Sequence, residues 1–393
     1  MSDRALALID GEHYAPVVRD ALEALPYDVV GALLVGGTEK VRDDDDYGVP
    51  LVDALDAVEA GLVVDRSDEP VLGPRERLLW ASRALALGLP YAGADFRFEP
   101  PQLHPVDTPS LAVIGLGKRI GKTAVAGHVA RVLARDRRVV VVAMGRGGPP
   151  EPELVEAPPA LDDLLALSRS GRHAASDYLE AAALAGVPAV GCRRAGGGLA
   201  GAPFHSNVLE GARLAAQLGP ELLVFDGSGA ALPPVEVDAR ILVTNGNHDP
   251  RAGLNAYRVL VSDLVVDTGG TDREAIRSIS DVPVVAAELR LRPAEPLRGR
   301  RTAVVTTGPA PTDELDADVV HVSRNLARRD ELREELERVD AEVYLVELKA
   351  AAVDVVAEAA LDRGAEVVLA ANDVVSDELD QRVADLAKQA VRA

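Results

Sequence analysis

The sequence has 393 residues, 48% of them hydrophobic, with 42 basic against 63 acidic side chains and a formal charge of −21. That length predicts two or three domains around a sizeable core, and the acid excess excludes nucleic acid as a partner, because its phosphates demand a basic face. Cys192 is the one cysteine, so no intramolecular disulfide exists, and no apolar run reaches the length of a membrane span; a reduced, soluble, cytoplasmic protein is expected.

In chain order, residues 4–9 (RALALI) predict a strand, 14–25 a helix and 28–35 a second strand, giving a βαβ opening. Asp10, Glu12, His13 and Lys40 fall at these strand ends, which fits either a lid over a site or an oligomer contact. Residues 43–46 read as a solvated acidic turn and 74–88 as an amphipathic helix carrying Trp80. FEPPQLHPVDTP (98–109), with four prolines, predicts a linker that closes an N-terminal α/β domain at about 1–105.

From Leu111 to about Leu289 apolar runs alternate with helical stretches: LAVIG, RRVVVVAM, VPAVGC (187–192), ELLVFD, ARILVTN, DLVVD and DVPVVAAE. Continuous apolarity marks strands buried on both faces, as in a parallel sheet under helices. This predicts a central domain over 110–290, a second linker at RLRPAEPLRGRR (290–301), and a C-terminal α/β unit over 300–393. The last unit should place strands near 302–306, 318–322, 342–347 and 365–370, with helices near 324–338 and 350–362. The expected fold class is α/β, a central P-loop nucleotide-binding domain flanked by two smaller α/β parts.

SLAVIGLGKRIGKT (110–123) organises the central domain. An apolar strand, a glycine-rich turn and a helix starting at Lys122 aim backbone N–H groups and a helix N-terminus at one point, the usual way of holding polyphosphate. Gly115, Gly117, Lys118, Gly121, Lys122 and Thr123 are the expected nucleotide contacts; the first glycine of the common phosphate-loop pattern is replaced by Leu116. The chain has only five lysines (Lys40, Lys118, Lys122, Lys349, Lys388), and two stand in this loop, where a compact ammonium reaches between phosphate oxygens better than a guanidinium does.

Asp226 closes the apolar run LLVFD, the place from which an acid holds magnesium in phosphate-loop proteins, with the Thr123 hydroxyl as a second ligand. Arg146 follows the next strand in a glycine-rich turn that suits an anion. In GCRRAGGGLAG, Arg193 and Arg194 run into Gly196, Gly197 and Gly198, guanidinium forks beside close-approaching amides, and predict a second phosphate site. His173 and His205 either line that site or are solvated. Asn245 either meets a nucleotide base or caps the next segment. Cys192 reads as a small buried residue, and the seven histidines show no zinc spacing.

IDGEHY, GKRIGKTAVAGHVAR, VVVAMGRGGPPEPE, HAASDY, GCRRAGGGLAG, FHSNVLEGAR and FDGSGAALPPV together resemble the cyclic 2,3-diphosphoglycerate synthetase family across most of the chain. The resemblance implies a core like that of dethiobiotin synthetase. It also implies a reaction in which ATP and magnesium close 2,3-diphosphoglycerate through an intramolecular phosphoanhydride, releasing ADP and phosphate. On that reading Lys122, the loop amides, Thr123 and Asp226 hold ATP and magnesium, while Arg146, Arg193 and Arg194 hold the small anionic substrate. Lys118 or Arg119 is then the cation spanning donor and acceptor. Asp226 stands where a glutamate would serve equally, which points to metal contact through water. No membrane is expected as a partner, and a homodimer is the expected assembly. A P-loop kinase or ligase acting on another phosphorylated or carboxylate small molecule, or a nucleotide-dependent switch, would share the loop; the doubled arginines favour a diphosphorylated substrate.

Overall fold

A computed structural model describes residues 4–69, 71–170, 177–308, 311–348 and 352–391. The chain divides into two compact units. The first runs through Gln102 and adds Asp249–Val261 and Asp272–Val282; the second holds Leu103–His248, Ser262–Thr271 and the chain from Pro283 onward.

The first unit is built on β1 (Arg4–Asp10), β2 (Asp28–Gly36), β3 (Leu51–Val52), β4 (Leu62–Asp65), β5 (Tyr91–Ala92) and β6 (Arg97–Phe98). Their order is β3-β2-β1-β4-β5-β6, parallel except for β6. All of β1 after Arg4 is buried, as a central parallel strand requires. The helix Ala15–Glu23 has a proline in its first turn and lays Ala15, Val18 and Leu22 on one face, against Ala7 and Ile9 of β1.

The second unit holds two sheets. The larger comprises β7 (Ser110–Gly115), β8 (Val139–Gly145), β9 (Glu153–Val155), β10 (Ala189–Ala195), β11 (His205–Ser206), β12 (Leu222–Asp226), β13 (Ala239–Thr244), β14 (Leu264–Asp267) and β15 (Val284–Ala286). Its order is β11-β10-β8-β12-β7-β13-β14-β15, with β9 beside β10; the strands from β10 to β15 are parallel. β7 is buried along its whole length in the interior of the sheet, so the loop that follows it leaves from a strand paired on both sides. The second sheet comprises β16 (Glu288–Pro293), β17 (Arg301–Val305), β18 (Asp318–Ser323), β19 (Val343–Glu347) and β20 (Glu366–Val375), in the order β16-β20-β19-β17-β18. One apolar core joins the sheets, from Leu111 and Val113 of β7 through Val125 and Val129 of the Lys122–Leu133 helix to Val346 and the C-terminal helix residues Val383 and Ala390.

The α/β class and the parallel sheets agree with expectation. One segment differs: residues 288–293, whose arginine-rich part was expected to begin a linker, form an edge strand antiparallel to β20. ELRLRP alternates apolar and charged residues with the period of a strand; Leu291 enters the core while Arg290 pairs with Glu288 and Glu314, and Arg292 pairs with Asp373. Its proline sits at the strand end on a sheet edge, where a missing donor is tolerated. Among the described residues no helix is long and apolar enough to cross a membrane.

Candidate active site

The loop between β7 and the Lys122–Leu133 helix turns through two left-handed residues, Arg119 (φ 58°) and Gly121 (φ 81°). The left-handed φ favours glycine at Gly121, and a Cβ there would also fall 2.5 Å from Leu289 Cδ1, which would have to shift. Gly117 faces the His248 ring, 2.3 Å from where its own Cβ would be. Leu116, in the place of the common glycine, is only 4% exposed and serves the core instead.

Lys122 and Asp226 are 8% and 2% exposed, and the lysine ammonium is ion-paired to the carboxylate Oδ1 at the end of β12. Thr123 is half-buried in the first turn of the helix. Gly117, Lys118, Arg119, Gly121, Lys122 and Thr123 line one cavity of about 900 Å³, a size typical of small-molecule sites. Arg146, on the turn after β8, lines it too.

The doubled arginines part company. β10 runs on to Ala195, so Arg193 and Arg194 are consecutive strand residues and point to opposite faces. Arg194 is 9% exposed; it donates to Gly196 O at 2.7 Å and Ser228 O at 2.8 Å, and its Nε has no hydrogen-bond partner. Burial first, and then the neighbouring Arg146 guanidinium, press its pKa below the usual arginine value. Both guanidinium groups crowd Gly229, whose missing Cβ would lie 2.8 Å from Arg146 Nη2 and 3.5 Å from Arg194 Nη2. Arg193 instead donates to Gly148 O at 3.2 Å and lines a second cavity with Pro149, Glu153 and Tyr178.

Gly197 and His205 are exposed, His205 in β11 opposite Ala195, and His173 lies outside the described residues. Asn245 spends its side chain on backbone groups, donating to Arg119 O at 3.4 Å and accepting from Asn247 N at 3.1 Å; it is Asn247, two residues on, that lines the cavity. Cys192 is buried and its thiol is pushed up to about 12, by burial first and by Glu210 second, which leaves it inert at neutral pH.

Profiles of three parts of one family cover nearly the whole chain: the N-terminal domain of cyclic 2,3-diphosphoglycerate synthetase matches residues 4–99, its P-loop domain 110–283 and its C-terminal domain 293–373. The chain belongs to the cyclic 2,3-diphosphoglycerate synthetase family. A relative of that name from Rubrobacter xylanophilus is 49% identical over 99% of this chain and 98% of its own. Another, from Thermococcus kodakarensis, is 41% identical over 98% of each chain, and one from Pyrococcus horikoshii is 40% identical over 98% of this chain and 97% of its own.

Several cavity residues of this family member were not assigned to the site from the sequence. Asp177, Tyr178 and Glu180 come from the short helix after the HAAS stretch, and Thr307, Glu347 and Asn372 from the five-stranded sheet. Glu347 carried a signal, since VYLVE ends a buried strand in an acid just as LLVFD does. Asn207 also went unnoticed; it is buried, accepts from Arg193 N at 2.6 Å and donates to Pro149 O and Pro150 O, tying the turn after Arg146 to β10.

Proposed function

We propose that this chain is an ATP-dependent ligase that closes 2,3-diphosphoglycerate into its cyclic form, with release of ADP and orthophosphate. The observation carrying this reading is the pair Arg146 and Arg194 beside the phosphate loop: two crowded guanidinium groups with no carboxylate partner among the described residues. Like charges held this close repel, and a dianionic phosphate is the ligand that turns the repulsion into attraction. The names borne by the family and by its full-length relatives support the same substrate.

Lys122 and the loop amides take the β- and γ-phosphates of ATP, drawing the ammonium from Asp226. The carboxylate so released and the Thr123 hydroxyl are hard oxygen donors of the kind magnesium prefers, and they would hold it. Magnesium supplies charge neutralisation on the phosphate oxygens. Arg146 and Arg194 hold one substrate phosphate in line with the γ-phosphorus, and Arg193 acts by fixing the turn at Gly148. An oxygen of that phosphate attacks the γ-phosphorus, and the bond to the β-phosphate oxygen breaks, giving ADP and a pyrophosphoryl group on the substrate. An oxygen of the neighbouring substrate phosphate then attacks the inner phosphorus; the terminal phosphate leaves as orthophosphate and the ring closes. Lys118 and Arg119, exposed at the cavity mouth, neutralise the transferred phosphoryl group. The protein's task is positioning and charge cancellation.

Phosphorus NMR of the protein with ATP, magnesium and 2,3-diphosphoglycerate tests this. The expected result is a cyclic phosphoanhydride resonance growing with ADP and orthophosphate, and absent from Arg194→Met. ATP consumption that is equal with and without the diphosphoglycerate, with no ring product, would overturn the reading.

A further inference from the structure

The five-stranded sheet brings its own strand ends to the cavity, with a chemistry opposite to that of the loop. Glu347, the last residue of β19, is 6% exposed. Its Oε2 accepts from Thr307 N at 2.8 Å and Thr307 Oγ1 at 3.0 Å, and its Oε1 accepts from Asn372 Nδ2 at 2.8 Å. A carboxylate can only accept, so Thr307 commits its hydroxyl proton to it and Asn372 must turn its amide nitrogen that way. What these two side chains then have left to offer the cavity are lone pairs, on Thr307 Oγ1 and Asn372 Oδ1. Thr307, Glu347 and Asn372 all line the same cavity as the phosphate loop.

Such a wall repels phosphate and carboxylate oxygens and attracts hydrogen-bond donors. 2,3-Diphosphoglycerate is esterified at both hydroxyls, so when ionised it carries acceptors only. Of the two substrates in the reading above, only the nucleotide has donors: its ribose hydroxyls and its exocyclic amine. The wall also adjoins the loop. Leu289 of β16 occupies the space beside Gly121, and β16 pairs with β20, Leu291 lying opposite Asn372. Leu289 lines the cavity as well and offers an apolar surface to a flat base.

We propose that Thr307 and Asn372, oriented by Glu347, form the nucleoside-recognition wall of the site, so that the C-terminal sheet reads the nucleotide's donors while the loop and the arginines read phosphate. This rests on the assignment of the cavity to ATP. Thr307 and Asn372 are specificity-determining residues, and Glu347 is a positioning residue.

Isothermal titration of the full-length protein with the magnesium complexes of ATP, ITP, 2′-deoxy-ATP and 3′-deoxy-ATP provides the test. The wild type should bind at least one analogue about tenfold more weakly than ATP, the worth of one well-placed hydrogen bond; weak ITP identifies the amine as the donor read, and a weak deoxy analogue identifies a ribose hydroxyl. In Asn372→Leu or Thr307→Val that ratio should fall toward one, and Glu347→Gln, whose amide can donate to its former partners, should lower it part of the way. A ratio taken within one variant is insensitive to partial loss of folded protein. In turnover, Asn372→Leu should raise the KM for ATP and leave that for 2,3-diphosphoglycerate within about twofold. Equal ratios in wild type and Asn372→Leu, or a loss that falls on the diphosphoglycerate KM, would overturn the inference while ATP binding stands. A wild type that binds no nucleotide sinks the ATP assignment itself, and this inference with it.

Discussion

Asp226 and Glu347 occupy the same place in two different sheets: each ends a fully buried parallel strand, Glu347 on the cavity wall and Asp226 ion-paired to Lys122, which lines the same cavity. Asp226 is paired with the Lys122 ammonium of the loop, and Glu347 accepts from Thr307 and Asn372. Two further strand-end acids follow the sequence LVVD. Asp65 holds Arg77 at 3.1 Å and the Tyr91 hydroxyl at 2.7 Å, and Asp267 accepts from Gly269 N and Thr271 N in its own turn. Topology delivers the acid to the strand end, and the partner decides its use. Beside the loop's ammonium the acid belongs to the phosphate machinery; beside Thr307 and Asn372 it fixes which way their polar atoms turn.

The sharpest way to break this comparison is Lys122→Met, which takes the ammonium from the buried Asp226 carboxylate. Stability should drop by about 3–5 kcal/mol in urea unfolding, and ring formation followed by phosphorus NMR should fall about 10³-fold. Survival of activity would remove Lys122 from the machinery. Next come the adjacent arginines. Arg194→Met should lower kcat/KM for the diphosphoglycerate about 10²-fold, the scale of a lost charge-assisted bond, and Arg193→Met less than about tenfold, since it acts through Gly148. Equal losses would mean that the two side chains share one ligand despite facing opposite ways. Glu347→Leu removes an acceptor from neutral donors, and urea unfolding should register about 1–3 kcal/mol, visibly less than Lys122→Met.

The smallest effect concerns the helix that begins at Lys122. His128 on that helix shares Asp380 with Arg135, at 2.7 and 3.0 Å, joining it to the C-terminal helix Leu379–Ala390. Burial outweighs Asp380 and holds the His128 pKa below the usual histidine value. The unfolded chain then takes up this proton first as pH falls, so the contribution of His128 is present above about pH 6.5 and is lost on acidification below it. Urea midpoints measured from pH 7.5 to 5.5 should show that slope, and His128→Gln should flatten it.

Most of the fold was legible because buried parallel strands read as unbroken apolar runs, and the loop because its glycines and scarce lysines have few other uses. Arg193 and Arg194 looked like one fork because the strand was ended at Cys192; three more residues of strand set them on opposite faces. β16 was hidden by arginines that alternate with leucines. Thr307 and Asn372 carried no signal at all, since neutral polar residues in a strand or just after one are ordinary and only the hydrogen bonds to Glu347 single these two out.

The shared apolar core has a thermodynamic consequence. The packing that runs from β7 through the Lys122–Leu133 helix to Val383 and Ala390 ties the five-stranded sheet to the loop's own helix, so that the sheet should not melt alone. Cutting the chain before β17 would uncover the helix that positions Lys122. The last hundred or so residues should therefore unfold in the same cooperative transition as the phosphate loop, heat or denaturant taking nucleotide and substrate binding away together.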